Sequence, residues 1–334
     1  MKLRLRTPLL WVSAAVGVLA AGCGPIDVTL PQPAQGYQFI TGSFAVPKGT
    51  ETQRCFFFEI PSDVPVFVNR FEVAQNVGTH HMNMFRVRTR KNLYGAPGEA
   101  VVDDQCWVSA NWSDWPLIVN SQEAQTGSVN PNDPAKNGYY EWKLPDGVAE
   151  RFEPHELIML QTHYVNATTQ STPLNGKVLV NFHSIPVSSV TAEMGTLFGT
   201  NQSIRVCPGD TNKYFETSCR ISQTSPVTIV AANSHFHSRG TYFSMSISNP
   251  ATGDTSAPFY ESTSWLDPPM LTNLSIPVPE GGAVSYHCEY TVPADTCGDP
   301  NNGCCFTFGG KVEAQEHCNV FVYYYPKQRD VGCF

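Results

Sequence analysis

Short runs of apolar or alternating residues recur along the chain: 37–46, 55–60, 66–73, 82–87, 177–183, 227–232, 242–247, 284–292 and 319–325. A period of two is what a half-buried strand requires, because successive side chains point to opposite faces. Clusters of Pro, Gly, Asn and Asp separate the runs, and no long segment carries a helical period. With 26 Pro and 25 Gly, the chain predicts an all-β protein built from antiparallel sandwiches or jelly rolls. About 300 residues of such pattern suit two domains of ordinary size. The boundary is expected near residues 185–194, between two groups of histidines, giving an N-terminal sandwich over 37–187 and a C-terminal one over 188–334. No internal repeat is evident.

The start of the chain changes the picture. Lys2, Arg4 and Arg6 form a basic n-region, and residues 9–21 form an apolar h-region too short for a committed membrane span. Leu19-Ala20-Ala21-Gly22-Cys23 follows, and it resembles a bacterial lipobox. An ordinary signal peptide with a chance cysteine is the simpler alternative, but Gly22-Cys23 falls where cleavage should. The expectation is a lipoprotein signal peptide over 1–23 and lipidation at Cys23. Residues 24–36, rich in Pro and Gln, would be a tether. The protein would then be exported and lipid-anchored at the cell envelope, at the outer membrane or facing the periplasm, touching membrane only through its lipid.

The chain has 21 basic and 29 acidic side chains, and losing Lys2, Arg4 and Arg6 with the signal peptide takes the net charge from -8 to -11. An acidic surface argues against nucleic acid or anionic lipid as a partner. Setting Cys23 aside leaves ten of the 11 cysteines, enough for five disulfides in an oxidising compartment. No Cys-x-x-Cys ladder appears and Cys304-Cys305 is poor ligand spacing, so disulfides are favoured over a zinc or iron–sulfur site.

Nine histidines exist, and six fall in four short motifs. These are Gly78-Thr79-His80-His81-Met82, Leu160-Gln161-Thr162-His163-Tyr164, Ser234-His235-Phe236-His237 and Glu316-His317-Cys318-Asn319. In His235-x-His237 both imidazoles share one strand face and can reach one ion. His80-His81 is harder, because strand neighbours diverge. The pair needs a strand end or bulge to share a metal, which Gly78 would permit. His155, His183 and His287 stand alone and read as surface or satisfied core residues. Imidazole suits copper, zinc, iron and nickel alike, so the histidines do not choose the metal.

The four motifs in this order resemble the ascorbate-dependent type II copper monooxygenases, the family of peptidylglycine α-hydroxylating and dopamine β-monooxygenases. That family has a His-His-Met segment, a Leu-Gln-x-His-Tyr segment, a His-x-His segment and a ligand just before a Cys-Asn. The resemblance covers nearly the whole chain after the leader. It implies two jelly-roll-like domains, each with one copper, facing each other across a solvent-filled cleft. It assigns His80, His81 and His163 to an electron-donating copper and His235, His237 and His317 to an oxygen-activating one, with Gln161 beside His163. It implies disulfides Cys55–Cys106, Cys207–Cys333 and Cys288–Cys318, and leaves Cys219, Cys297, Cys304 and Cys305 without partners. The activity implied is hydroxylation of a substrate C–H bond with O2 and ascorbate or another one-electron donor.

Two departures matter. The family has a methionine where this chain has His317, and an imidazole is harder than a thioether and favours Cu(II). A nearby methionine such as Met245 could substitute, but position 317 matches directly. The peptide-amidating members hold a peptide carboxylate with an Arg and a Tyr, at positions that here are Asn233 and Phe321, while Asn319 is kept. Losing the Arg removes a bidentate anchor, so the expected substrate is a small, non-peptide molecule. A non-catalytic copper-binding surface lipoprotein, for sequestration or sensing, is the main alternative. A zinc hydrolase ranks below it, since Glu316 on a strand would face away from His317.

Overall fold

Each half of the chain folds its alternating runs into two main sheets, and the two sets of sheets share no strand. The protein is described from a computed structural model over residues 28–89, 98–102, 115–122, 139–167 and 173–334. In the first half, one sheet orders Gly36–Ile40, Val178–Ile185, Val66–Gln75 and Val148–Phe152, with Tyr139–Lys143 also paired to Val66–Gln75 and Ala192–Glu193, from past the expected boundary, added in parallel to Val148–Phe152. The other orders Ala100–Val102, Glu51–Glu59, Leu157–Val165, Thr79–Arg86 and Leu117–Ser121. In the second half, one sheet orders Ile276–Val278, Val227–Phe236, Cys318–Tyr325, Gly195–Thr200 and Val331–Cys333. Its partner orders Lys213–Arg220, Ala283–Tyr290, Gly240–Asn249 and Asp254–Thr255. The long pairings are antiparallel, and the all-β expectation holds. Lys213–Arg220 escaped the apolar pattern because its outward positions, such as Glu216 and Ser218, are exposed and polar.

Three expectations need correction. Residues 28–35 do not hang free as a tether. Leu30 is buried against Ala74 and Leu179, the Val28 N–H donates to Asn76 Oδ1 (2.8 Å), and the Asn181 amide donates to the Pro31 carbonyl (2.7 Å). The expected Cys207–Cys333 bond is replaced by Cys207–Cys305 and Cys219–Cys333. Strand pairing explains it: Val206 lies opposite Phe306, so the next residues, Cys207 and Cys305, come opposite each other, with Cα atoms 4.0 Å apart. Cys297 joins Cys304, and Cys288 joins Cys318 across the two sheets of the second half. Cys106 lies outside the described residues, and the expected Cys55–Cys106 pair with it.

The third correction concerns the cleft. One hydrophobic core runs from Phe85 and Trp142 of the first half through Phe198, Val230, Phe321 and Tyr323 of the second. Thr196 Oγ1 donates to the Leu117 carbonyl (2.8 Å), and the Asn120 N–H donates to the Tyr323 hydroxyl (3.0 Å). Apolar side chains on the facing sheets gain more from packing together than from lining water, so the halves meet in a packed interface among the described residues.

Candidate metal centre

His80 and His81 lie near the start of Thr79–Arg86. His81 pairs with His163 and Thr79 with Tyr164, so His80 is an extra residue in the ladder. This is a β-bulge, and it lets two consecutive side chains serve one place. Gly78, with φ at 95°, supplies the left-handed turn into it. His163 stands on the neighbouring strand Leu157–Val165, with Gln161 two residues earlier on the same face. Gln161 is buried and accepts from the Asn83 amide at 3.4 Å.

The second set rests on another strand pair. His235 is on Val227–Phe236 opposite Asn319, His237 follows its end, and His317 directly precedes Cys318–Tyr325. The His235 and His317 ring centroids are 5.2 Å apart, and those of His237 and His317 are 4.3 Å apart. The Asn319 amide approaches His317 Nδ1 at 3.4 Å. Met245 lies elsewhere, in the core of the second half opposite Tyr286 and Tyr260.

The two sets meet. His235 lies 4.8 Å from His80 and 4.6 Å from His81, ring to ring, and His163 lies 5.2 and 5.0 Å from the same two. Ligand atoms of His80, His81 and His235 fall within 4.8 Å of one another, as do those of His235, His237 and His317. None of the six histidines is more than 4% exposed. Trp265 closes on His80 at 6.0 Å, and Phe308 on His317 at 5.2 Å.

The ring nitrogens divide into held and unheld atoms. His237 Nδ1 donates to the Gln315 carbonyl (2.9 Å), and His163 Nε2 meets the Glu51 carboxylate (2.7 Å). Opposite these, His237 Nε2 and His163 Nδ1 are buried without a hydrogen-bond partner, as are His80 Nε2, His81 Nδ1 and both nitrogens of His235. Unsatisfied buried polar atoms are costly, and one oriented nitrogen backing one open nitrogen is the usual arrangement of a metal-ligating histidine. Burial, and then the neighbouring imidazoles, push His80, His81, His235 and His317 well below the usual histidine range. His237 falls to about 4, by burial first, against the opposing effect of the Gln315 carbonyl. These five rings are thus neutral and ready to donate lone pairs. This donor set fits copper.

Two carboxylates border the cluster, and sequence patterns gave no signal for either in this role. Glu316 accepts from the backbone N–H groups of His237 (3.0 Å) and Arg239 (2.8 Å), one on each oxygen. Glu51 sits 112 residues from the histidine it holds. The lone histidines stay outside: His155 meets Glu59 and Asp63, His183 meets Arg70 and Glu72, and His287 meets Glu289. Cys23 lies outside the described residues.

Asn233 and Phe321 are cross-strand partners buried between the halves. Asn233 Oδ1 accepts from Asn120 (3.1 Å), and Phe321 stacks on Phe198 with centroids 5.1 Å apart.

No curated protein matches the chain. Among solved structures it is similar to the infectious bursal disease virus VP2 subviral particle, at 9% identity over 91% of this chain and 75% of that one, with a TM-score of 0.24. It is also similar to the STIV MCP, at 8% identity over 87% of this chain and 97% of that one, with a TM-score of 0.30. Likenesses this slight carry no argument. Residues 189–334, which hold His235, His237 and His317, match the model of the Copper type II ascorbate-dependent monooxygenase, C-terminal domain, so this part of the chain is similar to that family.

Proposed function

We propose that the protein is an exported, lipid-anchored copper monooxygenase that hydroxylates a C–H bond of a small, non-peptide substrate, using O2 and ascorbate or another one-electron donor. The observation that carries this reading is the buried cluster of six histidines, five of which bring ligand atoms from both halves of the chain together in two triads that share His235, with His163 beside His80 and His81. His80, His81 and His163 would hold one copper, and His235, His237 and His317 a second. Bound copper supplies the one-electron steps and the activation of O2. The chain's own residues orient the His237 and His163 rings through Gln315 and Glu51 and keep bulk water away by burial.

The substrate reading rests on the surroundings of the cluster. Asn233 and Phe321 are engaged with Asn120 and Phe198 and offer no cation to a carboxylate. Trp265 and Phe308 border the histidines with aromatic surface. Glycine-extended peptides should therefore be neither bound tightly nor hydroxylated. Their ascorbate-dependent conversion at ordinary enzyme rates, on the order of 1–10³ per second, would reverse the substrate assignment.

His317 favours a second reading, a non-catalytic copper-binding lipoprotein, because a third imidazole stabilises Cu(II) where a thioether would favour Cu(I). The hydrolase reading weakens, since both Glu316 oxygens already accept backbone N–H groups. Metal content of the purified protein, with O2 uptake measured with and without ascorbate, separates these. Two coppers and ascorbate-dependent uptake support the monooxygenase. Two coppers without uptake support the binding protein, and zinc with no copper defeats both.

A further inference from the structure

Glu51 opens the strand Glu51–Glu59 and lies opposite Val165, while His163 lies opposite Gln53. Glu51 is thus the diagonal neighbour of His163 on one sheet face, within reach of a long side chain. Its Oε1 meets His163 Nε2 at 2.7 Å and also accepts the backbone N–H of Val312 at 3.0 Å. Val312 belongs to the second half, 261 residues away, in the turn that leads into Gln315-Glu316-His317. Those three residues position the second set: Gln315 holds the His237 ring, Glu316 holds the backbone of His237 and Arg239, and His317 is itself a member.

We propose that Glu51 is a positioning residue that orients His163 and, through the Val312 N–H, ties the first histidine set to the segment carrying His317, so that one carboxylate couples the two halves of the metal centre. This rests on the copper reading above. It adds a residue that no histidine motif contains, and it explains how two sets on separate sheets are kept in register.

Glu51→Ala and Glu51→Gln test it. The Gln amide oxygen can still accept from both donors, whereas Ala accepts from neither. In the metal-free protein, hydrogen–deuterium exchange over residues 309–317 should rise in Glu51→Ala and stay near wild type in Glu51→Gln. In the copper-loaded protein, competition with a Cu(I) chelator should show one of the two ions bound about 10- to 100-fold more weakly in Glu51→Ala, the usual cost of losing such a partner. Glu51→Gln should recover most of that loss. Unchanged exchange would overturn the tie between halves, and unchanged affinity would overturn the orienting of His163. If the wild-type protein binds no copper, the functional reading fails, while the exchange measurement still decides whether Glu51 links the halves.

Discussion

The two halves offer the same three imidazoles but secure them differently. In the first, consecutive histidines converge because of a bulge, and His163 is held by a side-chain carboxylate. In the second, His235-x-His237 converges by ordinary strand alternation, His237 is held by a backbone carbonyl, and His317 is followed at once by a disulfide to the opposite sheet. A backbone carbonyl cannot be mutated away, and a cross-sheet bond fixes its neighbour. The first set is therefore the adjustable one and the second the rigid one. The same contrast runs through the folds. The described second half carries four disulfides, whereas the first buries Arg86 between Glu150 and Glu156 at 2.7 Å each.

The largest test of this contrast is metal stoichiometry. His163→Ala and His237→Ala should each reduce copper from two ions to one and abolish ascorbate-dependent O2 uptake, read by elemental analysis and oxygen electrode. If either variant loses both ions, the sets act as one shared centre, as the closeness of His235 to His80 and His81 would allow.

Next come the two kinds of support. Arg86→Met takes from the buried Glu150 and from Glu156 the guanidinium that both bond, and should cost roughly 3–5 kcal/mol in denaturant unfolding of the metal-free protein. Replacing Cys288 and Cys318 together by Ser opens a loop of sequence separation 30 and should cost about 2–4 kcal/mol. A larger loss from the cysteine pair would reverse the order of these two supports.

Acid should act through the histidines of the metal-free protein. A His237 lowered to about 4 binds fewer protons folded than unfolded between there and about 6.5. Stability is thus full above that upper value and falls as pH drops through the window. The loss should be about 2 kcal/mol between pH 7 and 5 from this residue. Melting temperatures that stay level over that range would show the ring is not buried neutral.

The smallest effect concerns ligand type. His317→Met should raise the reduction potential of the second copper and increase O2 consumption, since a thioether favours Cu(I). X-ray absorption should detect copper–sulfur scattering in the variant and none in the wild type. A variant with slower uptake would indicate that three imidazoles are what this centre requires.

The sequence by itself determined the strand content, the six histidines, and the need for a bulge at His80-His81, because alternation and side-chain direction are local properties. The family resemblance at Cys318-Asn319 singled out His317, and the fold sets it beside His235 and His237. The sequence misjudged residues 28–35, where Pro and Gln composition suggested a tether but Leu30 finds an apolar seat on a sheet whose strands lie far along the chain. It mispaired Cys207, because the register that sets Cys207 opposite Cys305 joins residues 98 apart. Only the tertiary structure brought the two histidine sets together and placed Glu51 between His163 and Val312. Those contacts span 112 and 261 residues. They follow from two sheets packing face to face, a gain shared among many apolar side chains that no local pattern encodes.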